Sequence, residues 1–188
     1  MSRTLLVSAL LLVLVEAFAE GAPAKNCKLS QYKSLVCQYS QCSQAFRDFR
    51  DKYDEMFQDP AADCSARIFR RKLDELSECQ NLLVLEKKVD LTIRVIQNLS
   101  EPELVRNASE PLKILASIRE DLRSCIQLKG LDNHPAARMP ILVKQLQEPH
   151  AGKSEGSARC LERGVIFNLV RLLNDLQNVA YKFNKACH

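Results

Sequence analysis

The residues of this chain that can react covalently with one another are its eight cysteines, all of which follow residue 20. In an oxidising compartment, thiols that meet form disulfides, and an even number suits complete pairing. Zinc binding is less favoured, because there is no Cys-x-x-Cys pair and the three histidines are scattered. Spacing alone does not select the partners. The cysteines are Cys27, Cys37, Cys42, Cys64, Cys79, Cys125, Cys160 and Cys187.

The beginning of the chain predicts that the protein enters such an oxidising compartment. A basic residue is followed by an apolar stretch too short to span a bilayer comfortably, and Ala17-Phe18-Ala19 forms a small-x-small cleavage site. The pattern predicts a secretory signal peptide over 1–19, with Ala22 or Ala24 as alternative cleavage positions and a membrane anchor as the alternative interpretation. We expect a secreted, extracellular protein without membrane insertion, in which 20–188 forms one domain.

Other chemistry is weakly represented. Asn98-Leu99-Ser100 and Asn107-Ala108-Ser109 are sequons for N-glycosylation. The sequence has no nucleophile elbow, no His-Glu-x-x-His and no glycine-rich phosphate loop, so we expect neither an enzyme nor a cofactor. The net charge of +4 comes without a dense Lys/Arg block, which argues against nucleic-acid binding.

Helices must position these residues. Glycine and proline are few, and apolar residues recur at three- and four-residue steps. We expect Ser109 to cap one helix, with Pro111 in its first turn, and Pro102 to help break the one before. The pattern predicts four long helices over about 40–57, 81–99, 109–128 and 160–184, and two short ones over about 64–78 and 139–147.

The expected fold is therefore an all-α bundle of about six helices. The long connection between the first two long helices permits the up-up-down-down arrangement of helical cytokines, although the pattern alone does not prove it.

One residue departs from the pattern of the last helix. Its apolar residues form one stripe, but Phe167 lies about 160° around the helix from Leu169, on the side facing water. A single exposed apolar residue is ordinary. However, Phe167 stands near Val170 and Arg171, and exposed aromatics with arginine are common anchors of protein interfaces.

The segment CLERGVIFNLVRLLNDLQNVA, over 160–180, resembles the last helix of the type III (lambda) interferons, within the interleukin-10 and interferon superfamily. The segments around Cys27-Lys28-Leu29-Ser30 and Cys64-Ser65-Ala66-Arg67 are similar to the family's first cysteine and to its loop after the first helix. Further similarity covers 90–96 and 110–127, so the resemblance extends over nearly all of the mature chain.

The resemblance implies two disulfides, Cys27–Cys125 and Cys64–Cys160. In the expected topology, the starts of the first two long helices and the end of the last lie at one end of the bundle. The remaining cysteines could form two further bridges there, with core packing as the alternative for Cys42. These remaining four are Cys37, Cys42, Cys79 and Cys187.

The resemblance also implies a receptor-binding surface on the first long helix, the segment after it and the last helix. Phe167 matches an exposed aromatic of the family, and many members have a second phenylalanine where Val170 stands. Phe46 lies on the apolar stripe, so a place in the core is its alternative. The expected receptor-binding residues are Phe167, Val170, Arg171, Arg50, Phe46 and Phe69.

By the same resemblance, the expected partners are a specific interferon lambda receptor chain and the shared interleukin-10 receptor beta chain, bridged by a monomer to activate Janus kinases and STAT proteins in an antiviral response. Two alternatives remain open. One is another cytokine of the superfamily with a different receptor pair, and the other is a secreted lipid-binding helical protein, which would carry a long apolar face rimmed by lysine.

Overall fold

The computed structural model describes residues 27–34, 40–57, 76–131 and 155–183. Within these ranges the chain forms helices and no strand. The elements are a 3-10 helix (Leu29–Ser34) and six α-helices, α1 (Ser40–Met56), α2 (Glu78–Gln97), α3 (Pro102–Asn107), α4 (Ser109–Leu128), α5 (Glu155–Phe167) and α6 (Leu169–Lys182). The predicted signal peptide, the short helix predicted over 139–147, and 64–75 of the other short helix lie outside the described residues. The predicted end of that other helix, at 78, is wrong, because Leu76 and Ser77 are not helical and Glu78 begins α2.

The long helices over 40–57, 81–99 and 109–128 are confirmed, and α2 begins three residues earlier than its apolar periodicity indicates. A capping box explains the earlier start. The Ser77 Oγ accepts a hydrogen bond from the Gln80 N–H (3.2 Å), and the Gln80 Oε1 accepts one from the Ser77 N–H (3.0 Å). Both groups satisfy backbone donors that the first helical turn leaves unpaired.

The prediction that Ser109 caps the third long helix is wrong. Ala108 occupies the cap position in a right-handed helical conformation, without a side-chain cap bond. The unpredicted helix α3 comes immediately before, and the Ala108 N–H donates to the Leu104 carbonyl (2.8 Å). Because the backbone continues almost directly from α3 into α4, a side-chain cap is not required. At its other end α4 is followed by Gly130, which adopts the left-handed conformation common after helices (φ 61°).

The single helix predicted over 160–184 is also corrected, because it is two helices joined at Asn168. The Asn168 side chain donates to the Gly164 carbonyl (2.6 Å), and its backbone N–H reaches the Val165 carbonyl only three residues back (3.1 Å). A side-chain amide that competes for a backbone carbonyl locally tightens a helix. The first of the two, α5, begins at Glu155, five residues before the predicted start at 160. Its first turn has no apolar stripe that would have revealed it.

The direction of α4 relative to α2 follows from two ion pairs. Arg123 contacts Glu86 (2.8 Å), and Arg119 contacts Asp90 (3.3 Å). From Glu86 to Asp90 on α2, the partner on α4 changes from Arg123 back to Arg119. The two helices are therefore antiparallel.

The last two helices run antiparallel to both α1 and α2. Asp54 of α1 contacts Arg163 (3.6 Å), and Phe57, which directly follows α1, lies under Arg159. On α2, Lys88 contacts Asp175 (2.8 Å), and a small buried cluster joins the later part of α2 to α5. That cluster consists of Leu91, Val95, Leu161 and Val165. Helices α1 and α2 are therefore parallel to each other and opposed to α4, α5 and α6, which confirms the up-up-down-down bundle.

One disulfide predicted from the family resemblance is confirmed. Cys27 and Cys125 are bonded, with their Cα atoms 4.6 Å apart, so the segment before the 3-10 helix is tied to the end of α4. Cys79 and Cys160 each take part in a disulfide as well. Cys64, the predicted partner of Cys160, lies outside the described residues, as do Cys37 and Cys187. The pairing of the additional cysteines stays a prediction, which mass mapping of peptides would test.

The main core lies between α1, α2, α4 and α6 and contains 28 buried residues from the described ranges, among them Phe46, Phe49 and Tyr53 of α1. The 3-10 helix closes one end, because Tyr32 is buried and donates from its hydroxyl to the Asp121 carboxylate of α4 (2.6 Å). Among the described residues, no helix is long and apolar enough to cross a bilayer, and no group of side chains there could hold a metal ion.

Candidate functional site

Phe167 is exposed, as predicted, with 40% of its surface open to solvent. It is the last residue of α5, and the two residues before it, Val165 and Ile166, are fully buried. The turn at Asn168 follows directly. Phe167 thus lies at the junction of two helices whose buried sides anchor it to the core.

A cation covers part of this ring. The Arg163 guanidinium lies 5.3 Å from the Phe167 ring centroid, one turn earlier on α5. The same guanidinium is 3.6 Å from the Asp54 carboxylate of α1. Arg163 therefore joins the exposed aromatic on one helix to a carboxylate on the other.

A second cation–aromatic pair repeats the arrangement one turn away. The Arg159 guanidinium lies 5.1 Å from the Phe57 ring centroid, and the Phe57 ring in turn packs on Tyr53 at 4.9 Å with the planes tilted by 53°. Such geometries are favourable for aromatic pairs and for arginine over an aromatic face. We call Asp54, Phe57, Arg159, Arg163 and Phe167 the α1–α5 seam.

Tyr53 lies beneath the seam and is buried. Burial, and to a smaller extent the nearby Glu162 carboxylate, raise the pKa of its phenol to about 12, while Arg159 and Arg163 oppose the shift. The phenol is therefore neutral at physiological pH. Its hydroxyl has no hydrogen-bond partner among the described residues, so Tyr53 contributes apolar surface rather than charge to the floor of the seam.

The other expected contact residues are distributed around this surface. Val170 is half-buried and Arg171 is exposed, both in the first turn of α6. Arg50 is half-buried on α1, one turn before Asp54, and its guanidinium donates twice to the neighbouring Asp51 carboxylate (2.7 and 3.0 Å).

Two of the expected contacts are not part of this surface as described. Phe46 is completely buried in the core. Its prediction as a receptor contact is therefore wrong, and its alternative place in the core is confirmed. Several helices cover the apolar stripe of α1, so no partner can reach the Phe46 ring without unfolding the bundle. Phe69 lies outside the described residues.

Four residues of the seam were not predicted from the sequence: Arg159, Arg163, Asp54 and Phe57. The four-residue spacing of Arg159, Arg163 and Phe167 was a usable signal, because residues four apart on a helix are neighbours. The contributions of Asp54 and Phe57 had no such signal, since both come from a helix about a hundred positions earlier in the chain.

The asparagines of both sequons, Asn98 and Asn107, are exposed at the ends of α2 and α3. Their position leaves them accessible to modification, and glycosylation itself stays a prediction.

Comparison with known proteins agrees with the resemblance drawn from individual segments. A model of the interleukin-28A family matches residues 24–182. The chain is similar to interferon lambda-3 of Gallus gallus, at 31% identity over 180 residues that cover 95% of this chain and 94% of the relative. It is 32% identical over 162 residues to interferon lambda-2 of Mus musculus, covering 84% and 81% of the two chains. It is 34% identical over 160 residues to interferon lambda-1 of Homo sapiens, covering 83% and 77%. With matches that extend over most of its length, the chain belongs to the interferon lambda family, whose members are type III interferon cytokines and not enzymes.

Proposed function

We propose that this protein is a secreted antiviral cytokine that binds a specific interferon lambda receptor chain and the shared interleukin-10 receptor beta chain at the same time. Membership in the family supports the class of activity. The exposed Phe167 ring, with the Arg163 guanidinium over it on the outer surface of the bundle, is the observation that carries the proposal to particular residues.

The first receptor-binding face consists of the α1–α5 seam with Val170, Arg171 and Arg50. Interfaces draw most of their free energy from a few aromatic and arginine side chains that are packed and desolvated on binding. Phe167 meets this description because it is large, exposed and held by a rigid helix pair. Arg171, one turn further along, contributes a cation without a carboxylate partner among the described residues.

The second face lies on the side of α1 and α4 and recruits the shared beta chain. One monomer then brings two receptor chains together, and the kinases on their cytosolic tails act on each other and on STAT proteins. The protein itself performs no chemistry. The protein contributes the binding free energy of two interfaces, and the rigid bundle sets the distance between the two receptor chains.

Export precedes this activity. We propose removal of 1–19, oxidation of the cysteines outside the cytosol, glycosylation at the exposed Asn98 and Asn107, and release as a monomer. Amino-terminal sequencing and the mass of the protein secreted by animal cells, before and after glycosidase treatment, test these steps together.

STAT phosphorylation tests the receptor assignment. Purified mature protein is applied to species-matched cells that carry both receptor chains, and to the same cells lacking the specific chain. We expect a signal that disappears on deletion. A signal that survives deletion would indicate a cytokine with another receptor pair. No signal from correctly folded protein, together with binding to liposomes, would favour the lipid-binding alternative.

Phe167→Ala tests the site. We expect the affinity for the specific receptor chain to fall at least about tenfold, because the loss of a buried aromatic anchor typically costs that much or more. Tyr181→Ala is the matched control, since Tyr181 is an even more exposed aromatic near the far end of the following helix, α6. Equal effects of the two substitutions would contradict the assignment of Phe167 as the anchor.

A further inference from the structure

Arg163 lies between the two helices of the proposed receptor-binding face and contacts a group on each. Its guanidinium carbon is 5.3 Å from the centre of the Phe167 ring, and its Nη2 is 3.6 Å from the Asp54 Oδ1. The Arg163 side chain is 31% exposed, whereas Asp54 is largely exposed. One side chain therefore connects the carboxylate of α1 to the exposed aromatic of α5.

The chemistry of these contacts favours a single orientation of the Phe167 ring. A planar guanidinium is attracted to the electron-rich face of an aromatic ring and stacks on it more effectively than an ammonium does. Arg163 precedes Phe167 by four residues, the spacing at which side chains on a helix meet. Asp54 holds the guanidinium from the opposite side, which restricts the rotamers available to Arg163.

Binding is weakened when an interface residue must be ordered at the moment of association, because its rotamer freedom is lost then. A phenylalanine alone at the end of α5 would carry that cost. With Arg163 stacked on one side, the ring is ordered beforehand, and 40% of its surface remains open to the receptor.

We infer that Arg163 is a positioning residue that holds the Phe167 ring in the orientation in which the specific receptor chain binds it, with Asp54 keeping Arg163 in place. This inference rests on the proposed function. It assigns to Arg163 an effect on receptor affinity that acts through Phe167 rather than through a contact of its own.

A double-mutant cycle separates these two modes of action. The affinity of the purified receptor-chain ectodomain is measured for the wild type, Arg163→Gln, Phe167→Ala and the double variant. We expect Arg163→Gln to weaken binding about 2- to 5-fold, the range of an exposed cation–aromatic contact, and to have no further effect when Phe167 is already alanine. An equal loss in both backgrounds would indicate a direct receptor contact and would overturn the inference, as would no loss in either.

Two further variants follow the chain of contacts. Arg163→Lys keeps the charge but loses the planar group, so we expect only partial retention of affinity. Asp54→Asn should weaken binding in the same direction and less strongly, again only while Phe167 is present. Arg106→Gln is the matched control, because Arg106 is an exposed arginine on α3, which contributes no residue to the seam. Thermal melting of every variant checks that the bundle is intact.

A measurement without receptor keeps this inference separate from the proposed function. Fluorinated phenylalanine placed at 167 reports the environment of the ring by 19F NMR. We expect Arg163→Gln to shift that resonance and Arg106→Gln to leave it unchanged. If the wild type fails to bind the receptor chain while the resonance still shifts, the proposed function fails and the positioning of the ring stands. An unchanged resonance in Arg163→Gln would overturn the positioning.

Discussion

At the scale of single residues, two buried tyrosines differ in what their hydroxyls meet. The Tyr32 hydroxyl donates to the Asp121 carboxylate at 2.6 Å, whereas the Tyr53 hydroxyl has no hydrogen-bond partner among the described residues. Both side chains are equally buried. A buried polar group without a partner costs about 1–3 kcal/mol, and a hydrogen bond to a charged group contributes about 1.5–3 kcal/mol.

These costs predict opposite effects for the same substitution. Tyr53→Phe should leave the free energy of unfolding unchanged or raise it by roughly 1 kcal/mol, while Tyr32→Phe should lower it by about 1.5–3 kcal/mol. Urea denaturation of the two variants beside the wild type measures the difference. A larger loss in Tyr53→Phe than in Tyr32→Phe would mean that a bound water satisfies the Tyr53 hydroxyl.

At the scale of the helices, the contact between α2 and α6 includes a charge in the core. The Lys88 side chain is only 1% exposed, and its Nζ lies 2.8 Å from the Asp175 carboxylate. An ammonium in such a place is costly unless a carboxylate compensates it, and removal of one partner typically costs about 3–5 kcal/mol. The pair therefore specifies which residues of α2 and α6 lie opposite each other.

Asp175→Asn should lower the free energy of unfolding by about 3 kcal/mol, because the buried ammonium of Lys88 then faces a neutral amide. The double replacement of Lys88 by Met and Asp175 by Leu should cost much less, since no charge is left unpaired. Glu103→Gln is the control, because it removes a carboxylate from an exposed interhelical pair with Lys52 (2.9 Å) and should change stability far less. If Asp175→Asn and Glu103→Gln lowered the free energy of unfolding equally, burial would not be the reason that the Lys88–Asp175 pair matters.

At the scale of the whole molecule, the Cys27–Cys125 disulfide closes a loop that contains most of the bundle. The two cysteines are 98 positions apart. Loop-entropy models put the closure of about 100 residues near 4.7 kcal/mol, mainly by restricting the unfolded chain. The disulfide also holds the 3-10 helix in place, since that segment begins just after Cys27 and packs against α4 and α6.

Replacing both Cys27 and Cys125 by alanine should therefore lower the free energy of unfolding by about 4–5 kcal/mol. The denaturant midpoint at fixed slope measures this loss, provided that the other disulfides remain intact by mass analysis. We expect receptor binding to survive wherever the variant is folded, because neither cysteine belongs to the α1–α5 seam. A loss of affinity in folded protein would contradict the position of the receptor face.

The sequence by itself determined the features that depend on neighbours along the chain. Apolar residues at three- and four-residue steps located three of the long helices to within a few residues, and the angle between Phe167 and Leu169 correctly put Phe167 on the outside. Family resemblance supplied the Cys27–Cys125 pair, which spacing alone could not select.

Only the tertiary structure decided what covers each face. The stripe that carries Phe46 is apolar whether it meets a core or a partner, and the helices packed around α1 put Phe46 in the core. The break at Asn168 depends on an amide that bonds within the helix rather than to solvent. The pairing of Asp54 with Arg163 joins residues that are distant in sequence, and periodicity carries no information about which distant residue comes near. Local spacing specifies which side of a helix is apolar, whereas packing selects the neighbour that buries that side.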